Sequence, residues 1–222
     1  MKIKGAIFDM DGTLINSLWC WDELWEWGGR TYLGIEGFRP APEFDKAVRT
    51  MVLADAMDYI HEKCGIAGSG KEILDHFNAI LPELYWTKIP MKEGAREFLD
   101  YCLEQNIPMV LASATESKLI EIALEKHGMR KYFKSVLSCA VIGKGKEHPD
   151  IFEAALRELG TPREETWVFE DSYVALETAA AIGMPTVGVF DRYAFEHERL
   201  EKSAMHYIGD GETLMKLVPF EK

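Results

Sequence analysis

The sequence predicts an α/β fold: a central parallel sheet flanked by helices, with an all-helical block inserted into it. Three observations carry this. Apolar runs too short for helices recur along the chain, bounded by turn residues or charge. Helical patterns that stop at glycines separate these runs over the second half of the chain. Residues 17–88 break the alternation and contain no convincing strand. Alternating strands and helices favour parallel pairing, because a parallel crossover needs a dozen or more residues and usually takes a helix.

The first strand is read at residues 2–8, an apolar run that ends at Asp9. Four more are read at 107–112, 135–139, 166–169 and 186–189. Between them, 92–105 is amphipathic, with Phe98, Leu99, Cys102 and Leu103 on one side. Helices at 116–127, 150–159 and 172–182 stop at Gly128, Gly160 and Gly183. Within the break, 19–27 reads as an aromatic-rich helix, 42–64 as one or two helices, and 69–85 as another. The expected organisation is a Rossmann-like core of residues 1–16 and 89–222 and an α-helical cap of residues 17–88. The hinges fall near Asn16-Ser17 and Lys88-Ile89-Pro90.

Composition narrows the partners. The chain has 222 residues, enough for one large domain or a core with an insertion. Its 25 basic and 37 acidic side chains give a net charge of -12, which argues against nucleic acid and anionic membrane. Cys20, Cys64, Cys102 and Cys139 form no CxxC pair and read as reduced thiols rather than disulfides or zinc ligands. The first apolar run is too short for a signal peptide or a membrane span, so a cytoplasmic location is expected. A monomer or weak homodimer is the expected assembly.

The chemistry is read from the strand ends, since ligands of open α/β sheets bind beyond the carboxyl ends of the strands. Asp9, Asp11 and Gly12 follow the first strand. Two carboxylates that close repel, so one takes a proton, meets a cation, or both. Gly12 lets the backbone turn where a side chain would obstruct it. Ser113, Ala114 and Thr115 follow the second strand, Lys146 follows the third beyond a loop, and Glu170 and Asp171 follow the fourth. Carboxylates, hydroxyls and an amine at one edge suit phosphoryl transfer. Hard oxygen ligands suit Mg2+, and a lysine neutralises phosphate oxygens. One carboxylate can attack phosphorus, and a second can protonate the leaving group and then activate water.

These residues carry a resemblance. Asp9-Met10-Asp11-Gly12-Thr13, Leu111-Ala112-Ser113, Lys146 with Pro149-Asp150, and Glu170-Asp171-Ser172 follow successive strands in the order of four motifs. The chain resembles the haloacid dehalogenase-like superfamily over its full length, in the subclass with a helical cap after the first motif. The resemblance implies Asp9 as nucleophile and Asp11 as general acid/base. Ser113, Ala114 and Lys146 would bind phosphate, and Asp9, the Asp11 carbonyl, Glu170 and Asp171 would hold Mg2+. Spacing to Pro149-Asp150 selects Lys146 over Lys144.

The expected activity is a Mg2+-dependent phosphatase of a small phosphorylated metabolite, through an aspartyl phosphate. A β-phosphoglucomutase-type phosphomutase looks similar over the same motifs, but expects a cap histidine and a lysine where this chain has Trp21 and Glu116. A non-catalytic phosphate-binding module is the third reading, although no motif residue is missing. In the cap, Trp21 and Arg49 are the candidate substrate contacts. Gly65-Ile66-Ala67-Gly68-Ser69-Gly70-Lys71-Glu72 nearly imitates a phosphate-binding loop but lacks its final hydroxyl; it reads as a turn with Ser69 capping the next helix. Trp19, Trp21, Trp25 and Trp27 read mainly as cap packing.

Overall fold

Six strands form one parallel sheet: β1 Gly5–Phe8, β2 Met109–Ser113, β3 Phe133–Ser138, β4 Thr166–Glu170, β5 Thr186–Val189 and β6 His206–Ile208. Their spatial order is β3-β2-β1-β4-β5-β6, the doubly wound order in which strand sequence reverses at β1. The computed structural model describes residues 2–49, 51 and 53–220. Thr50 and Val52, within the helical reading of 42–64, lie outside the described residues, as do Met1, Glu221 and Lys222.

The described chain divides into two compact units, Met1–Leu18 with Ile89–Lys222, and Trp19–Lys88. The first contains the sheet and helices α5 to α10; the second contains α1 Cys20–Gly28, α2 Pro42–Arg49, α3 Leu53–Cys64 and α4 Gly70–Thr87. The later helices are α5 Ala95–Glu104, α6 Ser117–Lys126, α7 Cys139–Ile142, α8 Asp150–Leu159, α9 Tyr173–Ala181 and α10 His197–Ser203.

Every residue of β1, β2, β4 and β5 is buried, as expected of strands covered on both faces. Successive side chains serve opposite faces. Ile7, Val110 and Val168 join the apolar cluster that includes Phe152 and Ala155 of α8 and Leu176 and Ala179 of α9. Phe8 instead stacks on Phe169 at 4.4 Å and meets Phe98 of α5 edge-on at 6.1 Å. Register fixes the upper edge: Phe8 pairs with Leu111 on one side and Phe169 on the other. Beyond this level β1 ends, while β4 runs one residue further to Glu170 and β2 two further to Ser113.

The structure departs from the sequence reading in places. Cys139, read as the end of a strand, begins α7, because the Ser138 hydroxyl accepts the Ala140 amide at 3.2 Å and caps the turn. The loop expected after the third strand thus opens with one helical turn. β6 and α10 were not expected. β6 has three residues, of which only Ile208 is buried, and α10 buries only Leu200, so neither carries an apolar period. β1 begins at Gly5 rather than at residue 2.

In the second unit, Trp25 is fully buried and donates its indole N–H to Asp45 at 2.7 Å. Ser69 caps α4 by accepting the Glu72 amide at 3.2 Å. A Cβ on Gly70 would lie 2.5 Å from backbone atoms of Asp58, so the glycine lets α3 and α4 meet at close range. The near-phosphate loop is an interhelical turn.

The two chain segments that join the units run side by side within the first. Ile15 bridges Met91 in antiparallel fashion, the Asn16 amide donates to the Pro90 carbonyl at 3.0 Å, and the Lys92 amide donates to the Leu14 carbonyl at 2.9 Å.

Candidate active site

Asp9 leaves β1 at the strand-order reversal, with its amide still bonded to the Phe169 carbonyl at 3.0 Å. The chain then closes a tight loop: the Met10 carbonyl accepts the Leu14 and Ile15 amides at 2.9 and 3.0 Å. Gly12 has φ +82°, and a Cβ there would fall 2.6 Å from Asp171 Oδ2. Glycine is needed both for the turn and for the approach of the Asp171 carboxylate.

Beside Asp9 stand Glu170, the last residue of β4, and Asp171. One carboxylate oxygen from each of Asp9, Glu170 and Asp171 lies within 4.8 Å of the others, and all three residues are buried. Lys146 bridges two of them, donating to Asp9 and, at 2.5 Å, to Glu170. The other Glu170 oxygen accepts the Ser172 amide at 2.8 Å. Thr13 donates to Asp171 at 3.4 Å.

Burial pushes the Asp9 carboxyl up to about 8; the Lys146 charge opposes this and the Glu170 and Asp11 charges add to it. Asp171 is likewise raised, first by burial and then by Glu170 and Asp9. Burial pulls the Lys146 ammonium down, but the flanking Asp9 and Glu170 carboxylates overcome it and hold the amine charged. Such a group of carboxylates is costly without further positive charge.

Asp11 takes a different position. Its Oδ1 accepts the Ser17 hydroxyl at 2.6 Å and its Oδ2 accepts the Thr115 hydroxyl at 2.7 Å. Its carboxylate is not a member of the buried acidic trio. Ser113 ends β2 almost fully buried, with its hydroxyl accepting the Thr115 amide at 3.1 Å, while Ala114 is exposed beside it. Lys144, in contrast to Lys146, is exposed and pairs with Asp150 at 2.9 Å; His148 is exposed.

Trp21 and Arg49 belong to the second unit. Arg49 already makes a two-pronged pair with Asp45 at 2.9 and 2.8 Å, and its guanidinium lies 5.6 Å from the centre of the Trp21 ring. Trp21 also packs on Phe77 at 5.4 Å.

Two participants escaped the sequence reading. Asp191, almost fully buried, pairs with Lys92 at 2.9 Å, and Lys92 also donates to the Phe190 carbonyl at 2.6 Å. Both charges reach Asp171, Lys92 lowering and Asp191 raising its proton affinity. Asp191 stands just beyond β5, so the strand-end rule that selected the other residues would have found it.

The donor set fits a divalent cation. Among the described residues, Asp9, Glu170, Asp171 and Asp191 meet two ammonium groups, Lys146 and Lys92, which leaves a buried group of hard carboxylate oxygens with less positive charge than their full ionisation requires.

Residues 3–183 match the haloacid dehalogenase-like hydrolase family. Over 188 residues the chain is 27% identical to hexitol phosphatase B of Escherichia coli, covering 85% of this chain and 84% of that protein. It is 24% identical over 194 residues to the chloroplastic 5-amino-6-(5-phospho-D-ribitylamino)uracil phosphatase of Arabidopsis thaliana, covering 85% of this chain but only 50% of that one. The β-phosphoglucomutase of Clostridium difficile shares the fold with a TM-score of 0.71 and 20% identity, over 93% of this chain and 91% of that one. With most of its length matched and four motifs meeting at one sheet edge, the chain belongs to the haloacid dehalogenase-like hydrolase family.

Proposed function

We propose that the chain is a Mg2+-dependent phosphatase of a small phosphorylated metabolite, acting through an aspartyl phosphate on Asp9 in the cytoplasm. The observation that carries this is the separation of two neighbouring carboxylates. Asp9 lies buried among Lys146, Glu170 and Asp171, while Asp11, two residues on, is held apart by hydroxyls.

Asp9, Glu170 and Asp171 would hold the metal through carboxylate oxygens, and the Asp11 carbonyl is the further ligand expected from the family. Bound there, Mg2+ supplies positive charge that keeps Asp9 ionised and draws electrons from the phosphoryl group. Ser113, the Ala114 amide and Lys146 orient the phosphate oxygens. An Asp9 oxygen attacks phosphorus, the ester P–O bond breaks, and Asp11 gives its proton to the departing alkoxide. Water then attacks the phosphorus and gives a proton to Asp11, the bond to Asp9 breaks, and inorganic phosphate leaves. Each cycle restores both aspartates.

Both phosphatases named above take a substrate with a phosphorylated sugar-alcohol chain, so phosphorylated polyols are the first probes. Arg49 is neutralised by Asp45, so monophosphates are expected ahead of bisphosphates. A panel of polyol phosphates, sugar phosphates, phosphoglycolate and nucleotide monophosphates, with Mg2+ or EDTA, tests the reading. Metal-dependent phosphate release from a polyol or sugar monophosphate is expected. Conversion of β-glucose 1-phosphate to glucose 6-phosphate without free phosphate would replace hydrolysis by a mutase reaction. Mg2+-dependent ligand binding without turnover across the panel would favour a binding module.

Metal binding should depend on pH. Mg2+ meets Asp9 and Asp171 as carboxylates, and burial raises both, so binding releases protons. Apparent affinity is expected to rise with pH through about 8, where Asp9 becomes ionised without help. Without metal, the native chain keeps a proton on Asp9 that the unfolded chain has lost. That contribution to stability is present below the ordinary 3.8 and fades as pH rises through about 8. In thermal melts, the Tm gain from Mg2+ should therefore widen between about pH 6 and about pH 8. A gain that shrinks over this range would count against these ligands.

A further inference from the structure

Thr115 is not among the residues assigned above to phosphate, metal or nucleophile, yet it is fixed at three points. Its amide donates to the Ser113 hydroxyl at 3.1 Å. Its carbonyl accepts the Ser138 hydroxyl at 2.7 Å, from the end of the neighbouring strand β3. Its own hydroxyl donates to Asp11 Oδ2 at 2.7 Å. With both backbone groups anchored and a β-branched side chain that is stiff about χ1, the hydroxyl has little freedom to move. It reaches across from the β2 end to the loop after β1, 104 residues apart in sequence.

The type of partner is informative. A general acid/base must occupy one place in two protonation states. A lysine or arginine there would favour the carboxylate and resist its protonation. A hydroxyl is donor and acceptor at once, so it bonds the carboxylate by donating and the carboxylic acid by accepting. Asp11 is flanked by two such groups, Ser17 and Thr115, one on each oxygen. Asp9, whose assigned task is nucleophilic, instead touches the ammonium of Lys146.

We propose that Thr115 is a positioning residue for Asp11, holding its carboxyl in place through both the acid and the base half of the cycle. The proposal rests on the phosphatase reading above and goes beyond it in naming what orients the proton donor.

The test exploits the leaving group. An alkoxide from a hexitol phosphate needs a proton as it departs, whereas p-nitrophenolate departs without one. The quantity to compare is kcat/KM, which reports events up to the first phosphoryl transfer. Thr115→Val keeps the shape and removes the hydroxyl. It should lower kcat/KM on a hexitol phosphate by about 10- to 100-fold, and by about tenfold more than on p-nitrophenyl phosphate. KM should move less than kcat. Thr115→Ser should restore most of the loss, and Asp11→Asn should show the same dependence on leaving group, more strongly. Equal losses on both esters, or a serine variant no better than valine, would overturn the role of Thr115 and leave the phosphatase reading standing. If Asp9→Asn still releases phosphate at the wild-type rate, the aspartyl-phosphate route on which the proposal rests fails, and the proposal with it.

Discussion

Asp9→Asn is expected to abolish phosphate release, lowering kcat by about 10^4-fold or more, the scale seen when an enzyme loses its nucleophile. The amide has nearly the shape of the carboxylate but lacks the charge with which to attack phosphorus. The fold should survive, because burial already drives Asp9 toward its neutral form and Glu170 remains as a partner for Lys146. The metal-free variant should therefore melt no lower than the wild type at pH 8, while its gain from Mg2+ shrinks. Phosphate-release kinetics and melts on the same preparation separate the two effects. Wild-type turnover in this variant would remove Asp9 from the chemistry.

Lys146→Met should damage stability and activity together. The lysine is the ammonium that bridges Asp9 and Glu170, with only a tenth of its side chain exposed. Removing it leaves two buried carboxylates without their counter-charge. Breaking one side of a buried ion pair costs about 3–5 kcal/mol, much of it the penalty of the stranded charge. Protonation of Asp9 would offset part of this at low pH, so the loss should be larger at pH 8 than at pH 6. Mg2+ should recover part of the loss, since a divalent cation serves the same carboxylates. Turnover should remain about 10^2- to 10^3-fold down even with saturating metal, because the cation proposed to meet the phosphoryl oxygens is gone. Urea unfolding with EDTA and with Mg2+ measures the first effect, and phosphate release the second. Unchanged midpoints would show that the pair contributes nothing to the native state.

Much of the site was readable because its residues sit where a local rule can find them. A carboxylate after a buried apolar run, or a hydroxyl after the next one, is visible without knowing which strands are neighbours. Sheet order then brings those ends together, with Phe8 level with Leu111 and Phe169. Asp191, just beyond β5, was open to the same strand-end rule, whereas Lys92 was hidden because its meaning lies in a pairing with Asp191, remote in sequence. The hold of Ser17 and Thr115 on Asp11 was hidden because hydroxyl direction depends on loop geometry. Arg49 is a different case. Its partner Asp45 lies four residues earlier on the same helix, a spacing at which side chains meet, so its pairing was open to a sequence reading. β6 and α10 were hidden by shortness and by the few buried positions they offer.

The ribbon made by Ile15 and Asn16 with Pro90 and Met91 bears on how the insertion is tolerated. The inserted unit leaves and re-enters the sheet-bearing unit through two segments already hydrogen-bonded to each other. To the sheet-bearing unit, the whole insertion is a loop with its ends pre-joined. Lengthening such a loop adds little closure entropy, about 0.6 kcal/mol for each doubling. Insertions of different size and sequence can therefore be accommodated at this doorway at little cost to the sheet-bearing unit.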